Sequence, residues 1–571
     1  MPASQWFQPP AEGVVFPQLG VVDASVVTVV CSVLSYLYFK TREPKDYTTV
    51  TLLLVVLPGL LASLWTSPSI SLPWALFLSV ALHNGLIASF TLAYRLSPLH
   101  PLARYPGPFL ARVSKWYSVY VILQGKQHIH YQHLHEQHGP VVRVGPNELS
   151  MNDPSAAHDM LMHGGLPKGP FWDGWGSPPT LIATRHVGEH AHRRRAWNRA
   201  LSAVAVRDYE GTIATRSRQL VERWKGLVEA QASAKDEKTK SALIDLSRWM
   251  GFFTADFMGD MSFGGGFELI RDGADVQGMW HILESGVKSN AILAHVSWFA
   301  LMYHRIVGGN RDRLRSFARE NVQRRLKLGA DRKDLFYHLS DEEGYEPRPL
   351  PSDHLARVCA EGALAIVAGA DTTAITLTGV LFHVLTDARI RKQLQEEVDA
   401  SFPDGEEPLD AMKLSKMDFL TGCINESLRL YPAVLTGSQR RVERGTGKRT
   451  LGGWVVPQET QVFTPTYTMQ RDPRYFSNPT IFLPERWLPS NSTPIHNTAA
   501  FLPFSAGPTI CAGKALAMLE MRMLLVWLVQ RFEFTMPAGE SGRTAAEWPD
   551  TLEDFFAAHK GALPAIVSVR V

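Results

Sequence analysis

The chain has 571 residues, with 58 Lys and Arg against 55 Asp and Glu, a net charge of +3. No block of like charge stands out, so nothing in the balance calls for a nucleic-acid partner. Apolar residues make up 45% and charged residues 20%, which excludes a disordered, collagen-like or low-complexity chain and implies a large packed core. Four scattered cysteines, Cys31, Cys359, Cys423 and Cys511, exclude a disulfide scaffold and a cysteine zinc site.

Residues 47–94 contain no Asp, Glu, Lys or Arg. Ser67, Pro68 and Pro73 divide this stretch into apolar segments near 48–66 and 74–94, each long enough to span a bilayer. A weaker segment, 21–39, carries Asp23 near its start and is followed by Lys40. Lys40, Arg42 and Lys45 follow the first segment, and Arg95, Arg104, Arg112 and Lys115 follow the third, whereas the first 39 residues hold no Lys or Arg. The positive-inside rule puts both basic flanks in the cytoplasm. Residues 1–97 are therefore expected to be a three-span anchor with all that follows residue 95 in the cytosol. A cleaved secretory leader would need a basic start and a small-residue cleavage site, and neither stands out.

Pro98, Pro101 and Tyr105-Pro106-Gly107-Pro108 cannot continue a helix, and 98–108 reads as a stiff hinge. From 109 to 571 there is no repeat, no low-complexity tract and no long linker, only a Lys- and Glu-rich surface excursion at 229–241, so one catalytic domain is expected. Apolar spacings of three and four predict helices around 205–228, 247–260, 312–328, 353–385 and 512–533. Short β-like runs occur at Val141-Val142-Arg143-Val144, Trp454-Val455-Val456 and Val462-Phe463. The expected class is mainly α with small β-sheets.

Near the C-terminus, Phe504, Gly507, Cys511 and Gly513 stand at offsets 0, 3, 7 and 9, just before a predicted helix near Lys514. At this chain's own residue frequencies that spacing arises by chance in about one chain in a thousand, so it carries signal. A thiolate on haem iron needs N–H donors aimed at its sulfur, glycines let the backbone curl close enough to supply them, and a helix N-terminus favours the anion. An isolated cysteine would more simply be a buried packing residue.

This loop resembles the haem-binding loop of the cytochrome P-450 monooxygenases, and by that resemblance Cys511 is the axial thiolate. The family usually has Arg or His two residues before the cysteine, beside a haem propionate, and here that residue is Thr509. Upstream, Glu426-Ser427-Leu428-Arg429 places a carboxylate and a guanidinium on one helix face, which alone would be an exposed pair worth a few tenths of a kcal/mol. The resemblance makes it a buried pair completed by Arg486, within Phe482-Leu483-Pro484-Glu485-Arg486-Trp487, as structural support for the haem loop. Ala368-Gly369-Ala370-Asp371-Thr372-Thr373 lies within the long predicted helix, where Asp and Thr are poor helix formers. It resembles the family's oxygen-activation motif, in which the helix kinks beside the iron, small residues leave room for dioxygen, and Asp371 and Thr372 relay protons for O–O cleavage.

The resemblance also names Arg194, four residues after His190 where the family has tryptophan, and Arg440, or its neighbour Arg441, as propionate partners. His128, His130, His133, His135 and His138 lack metal-site spacing and read as a solvated helix face.

The resemblance covers about residues 100–571. It implies a cytochrome P-450 fold preceded by transmembrane helices, haem b as cofactor, and a monooxygenase in the endoplasmic reticulum membrane with a cytosolic catalytic domain. The sequence has no Gly-x-Gly-x-x-Gly dinucleotide fingerprint, so electrons must come from a partner. The implied partner is an NADPH-cytochrome reductase, with cytochrome b5 as a second donor, docking at Lys514, Arg522 and Arg193. The expected substrate is a lipophilic small molecule, a secondary metabolite of terpenoid or indole type, met by loops within 165–180 and 281–305. An oxygen-independent haem-thiolate isomerase or dehydratase is the alternative within catalysis. A non-catalytic membrane haem sensor is the alternative outside it.

Overall fold

In the computed structural model, Val21–Thr41, Tyr47–Trp65 and Leu72–Leu96 are helical and each is long and apolar enough to cross a membrane. The structure describes residues 20–570 apart from 43, 45–46, 68, 176–178, 232–239, 266, 307–308, 328–332, 341–351 and 404, so most of the predicted 229–241 excursion lies outside the described residues. The middle segment is irregular, with a π-helical turn at Leu52–Val56 and a 3-10 turn at Ala62–Trp65. Its cause is Pro58, which has no N–H to give the carbonyl four residues back. That carbonyl, of Leu54, accepts instead from Asn84 Nδ2 at 3.1 Å. His83 hydrogen-bonds both the Leu53 carbonyl at 3.0 Å and Ser32 Oγ at 3.1 Å, and Ser79 Oγ donates to the Pro58 carbonyl. Polar side chains thus satisfy the backbone groups that Pro58 displaces.

The chain divides into two units, Met1–Arg104 with Leu301–Tyr303 and Tyr105–Ala300 with His304–Val571. In the larger unit the 35-residue helix Ser352–Thr386 is the central element. It too is apolar enough for a membrane, but it is largely buried, as a core helix should be. Leu246–Phe263, buried along nearly its whole length, packs along it, and Asp418–Leu430 and Lys514–Arg531 join the same core.

A four-stranded sheet runs Val141–Gly145, Glu148–Met151, Gln461–Phe463, Arg440–Arg441, with the central pair parallel and the outer pairs antiparallel. A second, antiparallel sheet joins Ser241–Asp245, Pro564–Val569 and Phe532–Thr535. The predicted hinge is pinned at its far end, where the Pro106 carbonyl accepts from Arg143 N at 2.7 Å and Tyr105 donates to the Val455 carbonyl at 2.7 Å. Gly107 has φ +156°, and a Cβ there would sit 2.1 Å from the Arg143 carbonyl oxygen, so only glycine lets the chain run this close to the strand.

The predicted helix at 205–228 is two helices, Ala203–Asp208 and Glu210–Gln231. The one at 512–533 begins at Lys514 and stops at Arg531, because Phe532 and Phe534 alternate inward as a strand. The histidine-rich helix Gln127–His138 corrects the solvated-face expectation. His133 and His138 are exposed, but His128 and His135 are buried. His135 bridges Ser150 Oγ and the Gly139 carbonyl, and His128 stands edge-on to Tyr467. Burial pushes the His128 imidazole down to about 3, with Lys126 and Arg471 adding to the fall, and that of His135 to about 4.

Candidate functional site

The cysteine loop turns through positive φ at Ser505 and Gly507. A Cβ on residue 507 would lie 2.1 Å from the Leu161 carbonyl oxygen, so this position needs glycine for its approach as well as its conformation. Gly513 differs. At φ −83° it is the N-cap of Lys514–Arg531, and a Cβ would meet only Cys511 Sγ, at 3.9 Å. Cys511 N–H donates to the Phe504 carbonyl at 2.9 Å and closes the loop. The Cys511 side chain is exposed, yet protein surrounds it on most sides, and this burial pushes the thiol above its usual range. The Gly513 and Lys514 N–H groups, donating to the sulfur, and the charges of Arg194 and Lys514 pull the other way. The donor set therefore suits a thiolate that carries one more positive partner.

Cations gather beside this loop. Arg440, 4% exposed, donates through Nη2 to Thr509 Oγ1 at 2.6 Å, while its buried Nε has no hydrogen-bond partner among the described residues. Arg441, next in the strand, faces the other way and pairs with Glu459 at 3.4 Å, so Arg440 is the member that meets the loop. Arg194, on Val187–Ala200, is partly buried and donates to Asn198. Lys168, which the sequence reading missed, forms an isolated β-bridge with Arg440, and its buried Nζ donates to the Leu181 carbonyl at 2.9 Å. Burial pulls the Lys168 ammonium down to about 7, with Arg440 and Arg194 adding to the fall and Glu361 opposing it. Burial and the same cations hold His190 at about 3. Cations that depress one another in a buried place make a receptor for an anion.

Glu426 and Arg429 are fully buried and joined by two hydrogen bonds of 2.7 and 2.9 Å. Arg486 Nε reaches Glu426 Oε1 at 3.0 Å, and Trp487 Nε1, a partner the sequence reading missed, reaches Oε2 at 2.9 Å. Arg429 also donates to the Gln470, Pro479 and Ile481 carbonyls, and Arg486 to that of Ser477. Burial alone would raise the Glu426 carboxyl, but the bonds and charge of Arg429 and the charge of Arg486 hold it below the usual range. The cluster is a satisfied buried network that ties the Asp418–Leu430 helix to the 3-10 turn Pro484–Trp487.

Asp371 and Thr372 lie within Ser352–Thr386, which is helical throughout the motif, so the kink implied by the resemblance does not interrupt the helix. The Thr372 hydroxyl donates to the Ala368 carbonyl at 2.5 Å, the local bond that a threonine in a helix can make. Asp371 is buried, and burial pushes its carboxyl to about 7, with Lys560 pulling it down and Glu284 pushing it up.

Of the predicted substrate loops, Pro170–Trp175 forms a 3-10 turn whose Phe171, Trp172 and Trp175 pack against Phe556 from the C-terminal hairpin, and His295 stands edge-on to Phe171. Phe171, His295, Thr436 and Phe556 line a small cavity. Of the three cations expected to dock a reductase, Lys514 is exposed, Arg193 bonds Glu189 and the Pro179 carbonyl, and Arg522 turns in to Thr421 Oγ1.

The family model for Cytochrome P450 matches residues 106–556. Cytochrome P450 monooxygenase FCK2 of Fusarium pseudograminearum is 33% identical over 453 residues, 78% of either chain. Cytochrome P450 monooxygenase nodW of Hypoxylon pulicicidum is 34% identical over 455 residues, 78% of this chain and 79% of its own. Tryprostatin B 6-hydroxylase of Aspergillus fumigatus is 29% identical over 500 residues, 85% of this chain and 84% of its own. The match takes in the helix of Asp371 and Thr372, the Glu426 cluster and the Cys511 loop, and the chain belongs to the cytochrome P450 family as a monooxygenase.

Proposed function

We propose that the protein hydroxylates, or otherwise oxidises, a lipophilic secondary metabolite at a haem held by Cys511. Substrate, dioxygen, two electrons and two protons give the oxidised product and one water. The observation that carries this reading is the Cys511 sulfur, which takes N–H donors from Gly513 and Lys514 beside the buried cations. The donor set suits haem b: a thiol with backbone donors for the iron, and Arg194 and Arg440 for the propionates. When bound, haem supplies the activation of dioxygen and the transfer of one oxygen atom to substrate.

The surrounding chain does the rest. Asp371, with a carboxyl poised near neutrality, takes up and gives protons, and the Thr372 hydroxyl passes them on. Glu426, Arg429 and Arg486 hold the loop that presents Cys511. Phe171 and Phe556, which line the small cavity, favour a planar or polycyclic apolar molecule, which suits a terpenoid or indole-type intermediate.

Electrons come from NADPH through a partner reductase, with cytochrome b5 as a second donor, reaching the face that exposes Lys514. The three apolar helices hold the enzyme in the endoplasmic reticulum membrane with its catalytic unit in the cytosol, an orientation that the basic flanks support. Membranes containing the enzyme, supplied with reductase, NADPH and a panel of terpenoid and indole substrates, test the reading. Product that carries one atom from labelled dioxygen is expected. Turnover without label would favour an isomerase or dehydratase.

A further inference from the structure

We infer that Lys168 is a third cation of the haem-propionate cradle and supplies, from the loop before the aromatic turn, the charge that neutral Thr509 lacks. The inference rests on the haem reading above. An ammonium has three donors, and among the described residues that of Lys168 gives one, to the Leu181 carbonyl at 2.9 Å. Its side chain is 6% exposed, so bulk water does not serve the rest. Glu361, the acid whose charge acts on Lys168, already accepts from Leu181 N at 2.8 Å and from Trp197 Nε1 at 3.2 Å, and it stands 3.9 Å from Arg193. A backbone β-bridge joins Lys168 to Arg440, whose Nε has no hydrogen-bond partner among the described residues, while its Nη1 donates to the Leu166 carbonyl at 3.5 Å and its Nη2 to Thr509. The bridge, and the effect of Arg440 on the Lys168 ammonium, put two buried cations near one another, and Arg440 carries that charge to the cysteine loop through Thr509. Their complement is an anion with several acceptor oxygens, such as a carboxylate.

The choice of lysine has a consequence that arginine would not have. Before an anion binds, burial and the neighbouring cations bring the Lys168 ammonium close to neutrality. A bound carboxylate raises it again. A group whose affinity for protons is higher in the bound form takes up a proton on binding, so haem is held more tightly at low pH and less tightly as pH rises through that interval.

The test uses full-length wild type, Lys168→Met and Lys168→Arg, with haem transfer to excess apomyoglobin and the ferric/ferrous midpoint potential followed at pH 6.5 and 8.5. Lys168→Met should lose haem about tenfold faster, the effect of one charge-assisted hydrogen bond, and should have a lower potential because a nearby positive charge favours the ferrous form. Lys168→Arg should stay near wild type. Haem loss from wild type should quicken between pH 6.5 and 8.5, whereas that from Lys168→Arg should not. Wild-type behaviour in Lys168→Met, or equal damage in both variants, would overturn the inference, since equal damage marks a packing contact to Leu181. If Lys168→Met does not fold, the pH profiles of wild type and Lys168→Arg decide alone. Absence of the thiolate carbon-monoxide band from wild type would instead count against the haem reading itself.

Discussion

Arg440 Nη2 donates to Thr509 Oγ1 at 2.6 Å, which links an edge strand to the loop two residues before Cys511. The neighbouring Arg441 points away to Glu459. Arg440 thus both holds the loop and offers charge beside it, while Arg441 does neither. Arg440→Ala should lower haem content and quicken haem loss by about tenfold or more, the worth of a hydrogen bond from a charged group. Arg441→Ala should leave both near wild type. Haem per mole of purified protein checks the contrast, and equal losses would contradict it.

The buried cluster at Glu426 makes a sharper stability prediction. Glu426→Gln leaves Arg429 and Arg486 in the interior without their counter-charge and should cost about 3–5 kcal/mol, enough to prevent a stable haem-loaded fold. Trp487→Phe removes a single donor to the carboxylate and should cost less, about 1.5–3 kcal/mol. Denaturant unfolding of the two variants checks the ranking, and a Glu426→Gln protein with full haem content would contradict it.

Asp371 has a pH signature. In the fold its carboxyl keeps a proton up to about pH 7, whereas an unfolded aspartate releases it near pH 4. Between those values the folded state binds more protons than the unfolded one, so this group makes folding less favourable as pH rises and adds no further change above about 7. Asp371→Asn removes that slope, and its stability relative to wild type should grow from pH 4 to pH 7. The variant should also keep its haem spectrum but form product about a hundredfold more slowly, the usual cost of losing a positioned proton donor. Undiminished turnover would remove Asp371 from the proton path.

The proposed anchor has its own extraction signature. Full-length protein should stay in the membrane pellet after alkaline carbonate treatment, and a variant lacking residues 1–96 should be released in large part. Within the anchor, His83→Leu deletes the bonds to Ser32 and the Leu53 carbonyl, and each such contact inside a membrane is worth about 0.6–1.7 kcal/mol. Retention of the truncated form would mean that another surface holds the protein to lipid.

What the sequence made legible follows from how local each signal is. The Cys511 loop could be read because its turn, its donors and its helix start fall within ten residues. Glu426 and Arg429 share one helix face, and the family resemblance supplied Arg486. The choice between Arg440 and Arg441 could not be read, because strand neighbours face opposite ways and the register is set by pairing with Gln461–Phe463. Lys168 escaped notice because its bridge partner is Arg440, far along the chain, and a lone lysine in a loop carries no pattern. The strand Phe532–Thr535 was taken into the preceding helix because the apolar run is continuous and only pairing with Pro564–Val569 ends it. The histidines misled for a related reason, since polar residues on a helix look solvated until Ser150 and Tyr467 are folded against them.

The most direct measurement of the central claim is the carbon-monoxide difference spectrum of reduced membranes containing wild type or Cys511→Ala. The red-shifted thiolate band should appear in wild type and vanish in the variant. Its persistence in Cys511→Ala, or its absence from folded, haem-loaded wild type, would contradict Cys511 as the ligand, and the proton-delivery role of Asp371 and Thr372 would fall with it.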